Sequence, residues 1–357
     1  MRIGSPCRFW VVLAAAVSCC LAGVPKRYSI DLDAPPRRRW DHVMKDFVHM
    51  VPAVKRMTSK VVPVVLQPLV NLLGRGLERF LPTEFAQEIE GIAQVTGVNL
   101  GEVAILNVLY DIVAFDRRHP FKACTSIVAQ DAKGRIWHGR NLDFPFGSLL
   151  KNMTILVDFQ RKNTTEYSAV TFAFFAGALT GQRPGAFSVS LNERNSGSIL
   201  ENLMMALFTG FKAPAGFVIR HALQEYDQFD SALQYLADVK LMAPSYLILG
   251  GIKSGDGVVL TRDRWRTKDY WFINSTLEHS WFAVETNYDH WKDTPKSDKR
   301  RKSAIDNMKR VGQRNLNEHT LMALLSKFPV NNPLTIYTTV MSAAMPQTMF
   351  NWTVVRD

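Results

Sequence analysis

Cysteine is scarce in this chain, with four in 357 residues. Cys7, Cys19 and Cys20 lie within residues 1–23, where two arginines, an apolar run and a closing pair of small residues have the pattern of a cleavable secretory signal. Removal of this segment would leave Cys124 as the single cysteine. Disulfides are usual in the secretory pathway, but one cysteine cannot form an intramolecular disulfide. Stability must therefore come from a hydrophobic core, for which a content of 47% hydrophobic residues is ample.

Long apolar runs and cofactor motifs are also missing. No segment reaches the about 20 apolar residues that a membrane span needs, so the mature protein is expected to be luminal or secreted. The eight histidines show no HExxH or paired ligand spacing, and the mature chain has no cysteine pair for zinc. No G-x-S-x-G elbow, Walker loop or dinucleotide fingerprint occurs. We therefore expect neither a metal nor a cofactor, and a structural or surface role for His138.

Negative charge is in the minority, because 43 lysines and arginines outnumber 32 aspartates and glutamates and give a net charge of +11. This excess indicates an anionic partner. The basic clusters at 26–27, 37–39 and 299–302 lack the interleaved aromatic residues of RNA-binding modules. We predict an anionic membrane surface rather than nucleic acid as the partner, with a merely solvated basic face as the alternative.

Four Asn-X-Ser/Thr sequons fit a route through the secretory pathway. Their asparagines are Asn152, Asn163, Asn274 and Asn351. Any one of them could be a chance match, but four sequons after a secretory signal favour a glycoprotein.

Residues 61–81 place apolar residues at helical spacing among basic ones. Pro63 and Pro68 exclude one smooth helix. Such an amphipathic segment can lie on a bilayer, or it can pack on the core of the protein itself. The predicted membrane-binding residues are Val61, Val65, Leu66, Leu69, Leu72 and Leu73.

The pattern changes from helical to strand-like near residue 123. Residues 24–123 are predicted to be helical, with one helix from about Thr83 to Gly97 and another that begins near Asn99. Further helices are predicted at 200–208, 216–225, 229–239, 303–311 and 318–326. Strands are predicted at 124–129, 135–141, 154–160, 167–175, 186–191, 246–249, 258–261, 281–286, 334–341 and 350–355. Strands on both sides of a block of helices, without strict alternation, predict an α+β fold.

Cys124 lies at this boundary, with Arg140 and Asp143 sixteen and nineteen residues further on. A lone thiol in this setting is a candidate nucleophile, and a buried, inert thiol is the alternative. Attack of the thiol on the carbonyl of Ala123 would form a thioester, and hydrolysis would release Cys124 as a new N-terminus. An α-amine has an ordinary pKa near 8, so it could act as a general base beside its own sulfur.

Ordered motifs over nearly the whole mature chain resemble the acid ceramidase and N-acylethanolamine acid amidase family. They are Cys124 to Asp131, His138 to Asp143, Thr180-Gly181, Leu191 to Arg194, Thr286 to Asp289 with Trp291, and Ile336 to Thr339. The resemblance implies an N-terminal nucleophile hydrolase fold, an αββα sandwich with an extra helical N-terminal subunit. It also implies self-cleavage between Ala123 and Cys124, into an α subunit of residues 24–123 and a catalytic β subunit of residues 124–357.

The resemblance assigns three residues to the catalytic centre. Cys124 matches the nucleophile, Arg140 lies near its sulfur where positive charge favours thiolate, and Asp143 matches the carboxylate that orients the new α-ammonium group. A surface ion pair is the alternative for the arginine and the aspartate.

Three more positions match the family pattern less securely. Asn287 resembles the oxyanion donor, and Glu193 resembles an acid that hydrogen-bonds near the cleaved bond or the polar head of the substrate. Arg300 matches a further active-site position of the family pattern, although the adjacent Arg301 could occupy that position instead. Each could instead be structural.

The implied reaction is hydrolysis of N-acylethanolamines such as palmitoylethanolamide to fatty acid and ethanolamine, in the lysosome and at the luminal membrane face. Ceramide is the alternative substrate, although acid ceramidases carry additional half-cystines that this chain lacks. An ordinary α-amine is protonated at lysosomal pH, so we expect a lowered pKa or a thiolate–ammonium resting pair. A luminal lipid-binding protein and an acylase for small amides, such as penicillin V or conjugated bile acids, remain alternatives.

Overall fold

The computed structural model describes residues 23–61, 70–72, 77–79, 81–113, 124–194, 214–274, 280–296 and 298–357. Several sequence predictions lie outside these ranges. They concern the secretory signal as far as Ala22, the helix at 200–208, Ala123 at the predicted cleavage site, and Val65, Leu66, Leu69 and Leu73 of the predicted membrane-binding set.

In the described part of residues 23–113 the chain forms α1 Asp41–Phe47, α2 Val51–Val61, α3 Thr83–Thr96 and α4 Leu100–Val113. The predicted end of α3 is confirmed. Gly97 adopts φ +65° there, and its N–H donates to Ala93 O at 2.9 Å. This left-handed conformation favours glycine, which explains why the helix ends at that residue.

The N-terminal part is not wholly helical, and the prediction is wrong on this point. β1, Lys26–Asp31, pairs in parallel with β4, Thr154–Arg161, at the edge of a large sheet. Tyr28 and Ile30 alternate with polar residues, as in a strand with one covered face, but only Ile30 is buried and the alternation is too short to be decisive in the sequence. The partner strand of β1 is remote in sequence, and no local pattern reports such pairing.

The other strands and helices belong to the C-terminal part. The strands are β2 Cys124–Gln130, β3 Ile136–Asp143, β5 Thr164–Phe172, β6 Thr180–Arg183, β7 Phe187–Glu193, β8 Ser245–Gly250, β9 Gly257–Arg262, β10 Thr267–Phe272, β11 Phe282–Glu285, β12 Thr335–Met341 and β13 Thr353–Val355. The helices are α5 Gly147–Met153, α6 Ala215–Glu225, α7 Phe229–Asp238, α8 Arg300–Val311, α9 Glu318–Leu325 and α10 Gln347–Asn351.

The strands form two sheets. The larger has the order β1-β4-β5-β6-β7-β8-β9-β10 and the smaller the order β11-β2-β3-β12-β13. His138 of β3 contacts Ser188 and Ser190 of β7 at 3.0 and 2.8 Å, so the two sheets pack face to face. Burial lowers the pKa of His138 to about 3. Its ring is therefore neutral and structural, and the surface alternative for His138 is excluded.

Helices cover both outer faces of the sheets. Ala304 and Met308 of α8 and Leu321 of α9 share one apolar cluster with the smaller sheet. α6 packs on the larger sheet with α3 beside it, where Phe85 and Phe217 stack at 5.1 Å. The layers are therefore helix, sheet, sheet and helix, which confirms the predicted α+β sandwich.

The prediction also errs in detail. Residues 350–355 were expected to form one strand, but α10 ends at Asn351 and β13 begins at Thr353. A helix of five residues is too short to reveal a helical period in the sequence. The unpredicted β6 has only four residues, and the unpredicted β10 lies at a sheet edge, where none of its six residues is fully buried. Within the described ranges no helix is long and apolar enough to cross a membrane.

Candidate active site

The candidate nucleophile lies at the start of an interior strand. Cys124 is the first residue of β2, which pairs with β11 on one side and with β3 on the other. Cys124 lies opposite Leu142, so the end of β3, where Asp143 follows, is beside the thiol. Only 3% of Cys124 is exposed. The sulfur is thus held inside the protein.

Arg140 brings positive charge to the sulfur from β3. Its Nη2 donates to Cys124 Sγ at 3.5 Å, and its Nη1 donates to Leu191 O at 2.5 Å and Asn192 Oδ1 at 2.8 Å. Both partners of Nη1 lie on β7, so the guanidinium bridges the two sheets. Arg140 is fully buried, which excludes the alternative of a surface ion pair.

Burial has the largest effect on the thiol and raises the pKa of Cys124. The positive charges of Arg140 and Arg300 oppose this effect, whereas the negative charge of Asp143 adds to it. The expected influence of Arg140 toward thiolate is therefore present, but it does not prevail in the uncleaved chain. A buried sulfur anion loses more hydration than one nearby guanidinium compensates.

Asp143 is held in one orientation by residues that come much later in the chain. Thr335 Oγ1 donates to Oδ1 and Asn332 Nδ2 donates to Oδ2, each at 2.7 Å. The guanidinium of Arg300 lies 3.8 Å from Oδ2. Burial raises the pKa of Asp143 to about 6, although Arg300 and the hydrogen bonds lower it. The carboxylate is thus poised to change charge at mildly acidic pH.

Asn287 and Arg300 hold the backbone of Cys124 on both sides. The N–H of Cys124 donates to Asn287 Oδ1 at 2.8 Å, and Arg300 Nη1 donates to Cys124 O at 2.7 Å. Arg300 Nη2 also donates to Asn287 Oδ1 at 3.1 Å. The adjacent Arg301 instead pairs with Glu285. Of the two arginines, Arg300 is therefore the one that reaches Cys124.

Glu193 enters the site through its backbone. Asn287 Nδ2 donates to Glu193 O at 2.9 Å, and the side chain of Glu193 is 4% exposed. The six residues singled out in the sequence as catalytic are thus gathered around the start of β2. They are Cys124, Arg140, Asp143, Glu193, Asn287 and Arg300.

Sequence reasoning missed the residues that hold these six in place. Asn192 accepts from Arg140, and its Nδ2 donates to the carbonyl oxygens of Glu285 and Thr286 at 2.9 and 3.0 Å. It stands in the quoted motif Leu191 to Arg194, where it could have been noticed. Thr335 and Asn332, which hydrogen-bond to Asp143, lie in no such motif, and no signal in the sequence points to them.

An apolar cavity lies beside the strand residue that pairs with Cys124. Leu142, the strand partner of Cys124, forms part of its wall. The cavity is also lined by Met57, Leu106, Phe144, Leu150, Met153, Phe172, Ala173, Phe174, Phe175 and Leu179. Met57 and Leu106 come from the N-terminal part, so both parts of the chain contribute to this wall.

The predicted glycosylation sites and one predicted membrane-binding residue are exposed. The asparagines of all four sequons are exposed, as glycosylation requires. Leu72, one of the predicted membrane-binding residues, is 39% exposed, and Val61 ends α2. Among the described residues, no group of three His, Cys, Asp or Glu side chains could hold a metal ion.

Buried acids make the stability of the fold depend on pH. Burial raises the pKa of Asp143 to about 6, of Asp111 to about 7 and of Glu285 to about 8. Between their ordinary values near 4 and these raised values, the folded chain binds more protons than the unfolded chain. Stability from these groups is therefore present at acidic pH and falls as pH rises through the window. His138, whose pKa is lowered, opposes this trend only below about pH 6.5.

We accordingly expect the Tm of the Cys124→Ser variant to be higher at pH 5.5 than at pH 8, by about 3 °C or more. Differential scanning calorimetry in buffers of equal ionic strength measures this difference. Adding Glu285→Gln removes the acid with the highest of the three raised pKa values, so we expect it to reduce the difference in Tm between the two pH values. A Tm that rises from pH 5.5 to pH 8 would contradict the assignment of these buried acids.

Two family models match the chain. The beta subunit of N-acylethanolamine-hydrolyzing acid amidase matches residues 23–81, so that description uses the name beta for the N-terminal part. The linear amide C–N hydrolases of the choloylglycine hydrolase family match residues 124–317.

Individual relatives match over nearly their full length. The chain is 44% identical to N-acylethanolamine-hydrolyzing acid amidase of Caenorhabditis elegans, over 94% of this chain and 95% of the relative. It is 36% identical to human acid ceramidase, over 96% of each. A solved structure of the Caenorhabditis elegans amidase ortholog is similar with a TM-score of 0.61 and 44% identity, over 66% of this chain and 100% of the solved chain. These matches confirm the resemblance noted in the motifs, and the chain belongs to the choloylglycine hydrolase family of linear amide C–N hydrolases, in the branch of N-acylethanolamine-hydrolyzing acid amidases and acid ceramidases.

Proposed function

We propose that this enzyme hydrolyses N-acylethanolamines such as palmitoylethanolamide to a fatty acid and ethanolamine, with Cys124 as an N-terminal nucleophile released by self-cleavage. One observation carries the proposal. The thiol, the N–H and the carbonyl oxygen of Cys124 are each held by a different buried side chain, those of Arg140, Asn287 and Arg300. Any buried backbone N–H and C=O needs a partner, but here two side chains remote in sequence supply both, and a purely structural thiol needs no guanidinium beside it.

The activating step is an attack of Cys124 Sγ on the carbonyl carbon of Ala123. The C–N bond breaks, the α-amine of Cys124 takes up a proton, and water hydrolyses the thioester to a carboxylate at Ala123 and a free thiol. The same acceptor, Asn287 Oδ1, that binds the amide N–H can then bind the α-ammonium group. The solved nematode chain supports this step, because the share of this chain that it covers matches residues 124–357 in length.

The same groups serve the substrate. The α-amine of Cys124 takes the proton of its own thiol, and the thiolate attacks the fatty amide carbonyl. The second N–H of Asn287 Nδ2 can bind the developing oxyanion, since an amide has two N–H groups and only Glu193 O, among the described residues, accepts from it. The α-ammonium group, oriented by Asp143, protonates the leaving ethanolamine. Water then hydrolyses the acyl thioester and restores the thiol.

The apolar cavity beside Leu142 suits the acyl chain of such a substrate. The family model over residues 23–81 and the nematode relative favour an ethanolamide headgroup. Ceramide is the second candidate, favoured by the similarity to human acid ceramidase. The chain has only Cys124 after its predicted signal, which fits the ethanolamide amidases better.

The proposal is tested by mass analysis of intact protein and N-termini for the wild type and Cys124→Ser, after incubation at pH 4.5 and pH 7.4. Hydrolysis of palmitoylethanolamide and of ceramide is assayed on the same samples. We expect a wild-type fragment that begins at Cys124, formed at acidic pH together with faster palmitoylethanolamide hydrolysis, and neither in the variant. Faster ceramide hydrolysis would support the second candidate. An uncleaved, active chain would refute the α-amine mechanism, and an uncleaved, inactive chain would favour a lipid-binding protein.

The proposed site of action is the lysosomal lumen, at the membrane surface, as a glycosylated heterodimer of the two cleaved parts. The net charge of +11 and the exposed asparagines of the four sequons support this location. We expect replacement of Val65, Leu69 and Leu73 by serine to weaken binding to anionic vesicles about tenfold or more. Co-sedimentation measures the binding, with neutral vesicles as the control. Unchanged sedimentation would reject these residues as the membrane contact.

A further inference from the structure

Asn287 lies in an irregular turn, although the contacts of its side-chain amide depend on a fixed orientation. Asn287 lies in a bend after β11, outside the strand ladder. Its Oδ1 accepts from Cys124 N–H at 2.8 Å and its Nδ2 donates to Glu193 O at 2.9 Å. A small rotation of the side-chain amide would disturb both contacts. Strand pairing does not hold this turn, so other contacts must.

A buried ion pair ties this turn to the end of β7. Arg194 Nε donates to Asp289 Oδ1 at 2.8 Å and Arg194 Nη2 donates to Asp289 Oδ2 at 3.1 Å. Arg194 and Asp289 are 7% and 3% exposed. Arg194 follows Glu193, and Asp289 lies two residues after Asn287. The ion pair therefore joins the same two segments as the hydrogen bond between Asn287 and Glu193, and its two parallel bonds fix both distance and angle.

Other groups hold the carboxylate of this pair. Tyr246 OH donates to Asp289 Oδ1 at 2.7 Å, and Lys292 Nζ lies 2.8 Å from Oδ2. Burial alone would raise the pKa of Asp289, but the hydrogen bonds from Arg194, Lys292 and Tyr246 outweigh it and hold that pKa well below its ordinary value. Asp289 thus stays ionised at acidic pH, and the ion pair persists there.

We propose that Arg194 and Asp289 are positioning residues for the hydrolytic reaction, which hold the amide of Asn287 in the orientation that binds the oxyanion. This inference rests on the proposed function, because the role of Asn287 is assigned there. In the described part of the chain, neither Arg194 nor Asp289 hydrogen-bonds to Cys124. They act through Asn287, and a misplacement of about 1 Å at a reacting centre can lower the rate by about 100-fold.

The test uses two variants. Arg194→Lys keeps the positive charge but cannot form the two parallel hydrogen bonds of a guanidinium, and Asp289→Asn keeps the shape of the side chain but loses its negative charge. Cys124 is the only cysteine after the predicted signal, so its alkylation titrates the active sites. We expect kcat per titrated Cys124 on palmitoylethanolamide to fall about 10- to 100-fold, with KM within about twofold of wild type. Asp289→Glu keeps a carboxylate for Arg194 and is expected to recover part of this loss.

Arg161→Lys is the matched control, because Arg161 pairs with Glu166 at 3.1 Å on the surface. Its kcat is expected to stay at the wild-type value. The proposal would be overturned if both test variants kept kcat per titrated Cys124 within about twofold of wild type while their Tm fell. The ion pair would then contribute to folding but not to the reaction. Hydrolysis by Cys124→Ser, whose ion pair is intact, would instead overturn the proposed function itself.

Discussion

Asn287→Asp is expected to lower kcat on palmitoylethanolamide by about 100- to 1000-fold. The substitution keeps the shape of the side chain and the oxygen that accepts the N–H of Cys124 at 2.8 Å. It replaces Nδ2 by an oxygen that faces Glu193 O, 2.9 Å away. Both the hydrogen bond to Glu193 and the second N–H for the oxyanion are lost. Steady-state kinetics per titrated Cys124 measure the effect, and the rate of fragment formation is recorded separately.

Asn315→Asp is the matched control for this prediction. Asn315 Nδ2 also donates to a backbone carbonyl, Val311 O, at 2.9 Å, but Asn315 is exposed, and the nearby Gln313 contacts Asp131, beyond the end of β2 opposite Cys124. We expect its kcat to be unchanged. If Asn287→Asp retains kcat within about threefold of wild type, Asn287 is not the oxyanion donor, since loss of such a donor has a far larger effect.

Glu88→Gln is expected to lower the free energy of unfolding by about 3–5 kcal/mol. Glu88 is fully buried and accepts from Arg39 at 2.9 Å, Trp40 at 2.7 Å and Arg220 Nη2 at 2.7 Å. Loss of its charge leaves the fully buried guanidinium of Arg220 without its ion-pair partner, and leaves Arg39 with Glu84 alone. Denaturant unfolding in the Cys124→Ser background measures the change on an uncleaved chain.

Glu90→Gln on the same helix controls for the substitution itself. Glu90 pairs with Arg37 at 2.7 Å, but the arginine is half exposed, so the expected loss is below about 1 kcal/mol. Similar effects of the two substitutions would contradict a special contribution of the buried network.

Because Glu88 precedes Cys124 and Arg220 follows it, we also expect Glu88→Gln to weaken association of the two cleaved parts, as measured by size-exclusion chromatography.

Local patterns predicted the interior of the sheets better than their edges. β8 and β9 are buried along their whole length and read as apolar runs in the sequence. β1 and β10 lie at the two edges of the larger sheet and are mostly polar or exposed. An edge strand is held mainly by backbone hydrogen bonds to one neighbour and buries few side chains, so the alternation that β1 and β10 show is weak.

The candidate site divides in the same way. Arg140 and Asp143 follow Cys124 in a hairpin, so their proximity to the thiol could be predicted from short spacing and turn residues. Spacing alone could not distinguish Arg300 from Arg301, because both are at the start of α8. The orientation of that helix against β2 decides which guanidinium reaches Cys124. Motif resemblance suggested Arg300, and the hydrogen bond to Cys124 O confirms that it is the nearer residue.

Composition, spacing and motif order were sufficient to predict the α+β class, the change from a helical to a strand-like pattern near residue 123 and the family, because each is read from short segments and their order along the chain. The support around Cys124 followed only from the folded chain. Asn287 lies 163 residues from Cys124 and Arg300 lies 176 residues from it, and the ion pair of Arg194 with Asp289 spans 95 residues. Contacts at such separations are set by how the two sheets and their helices pack, and a linear pattern carries no information about that packing.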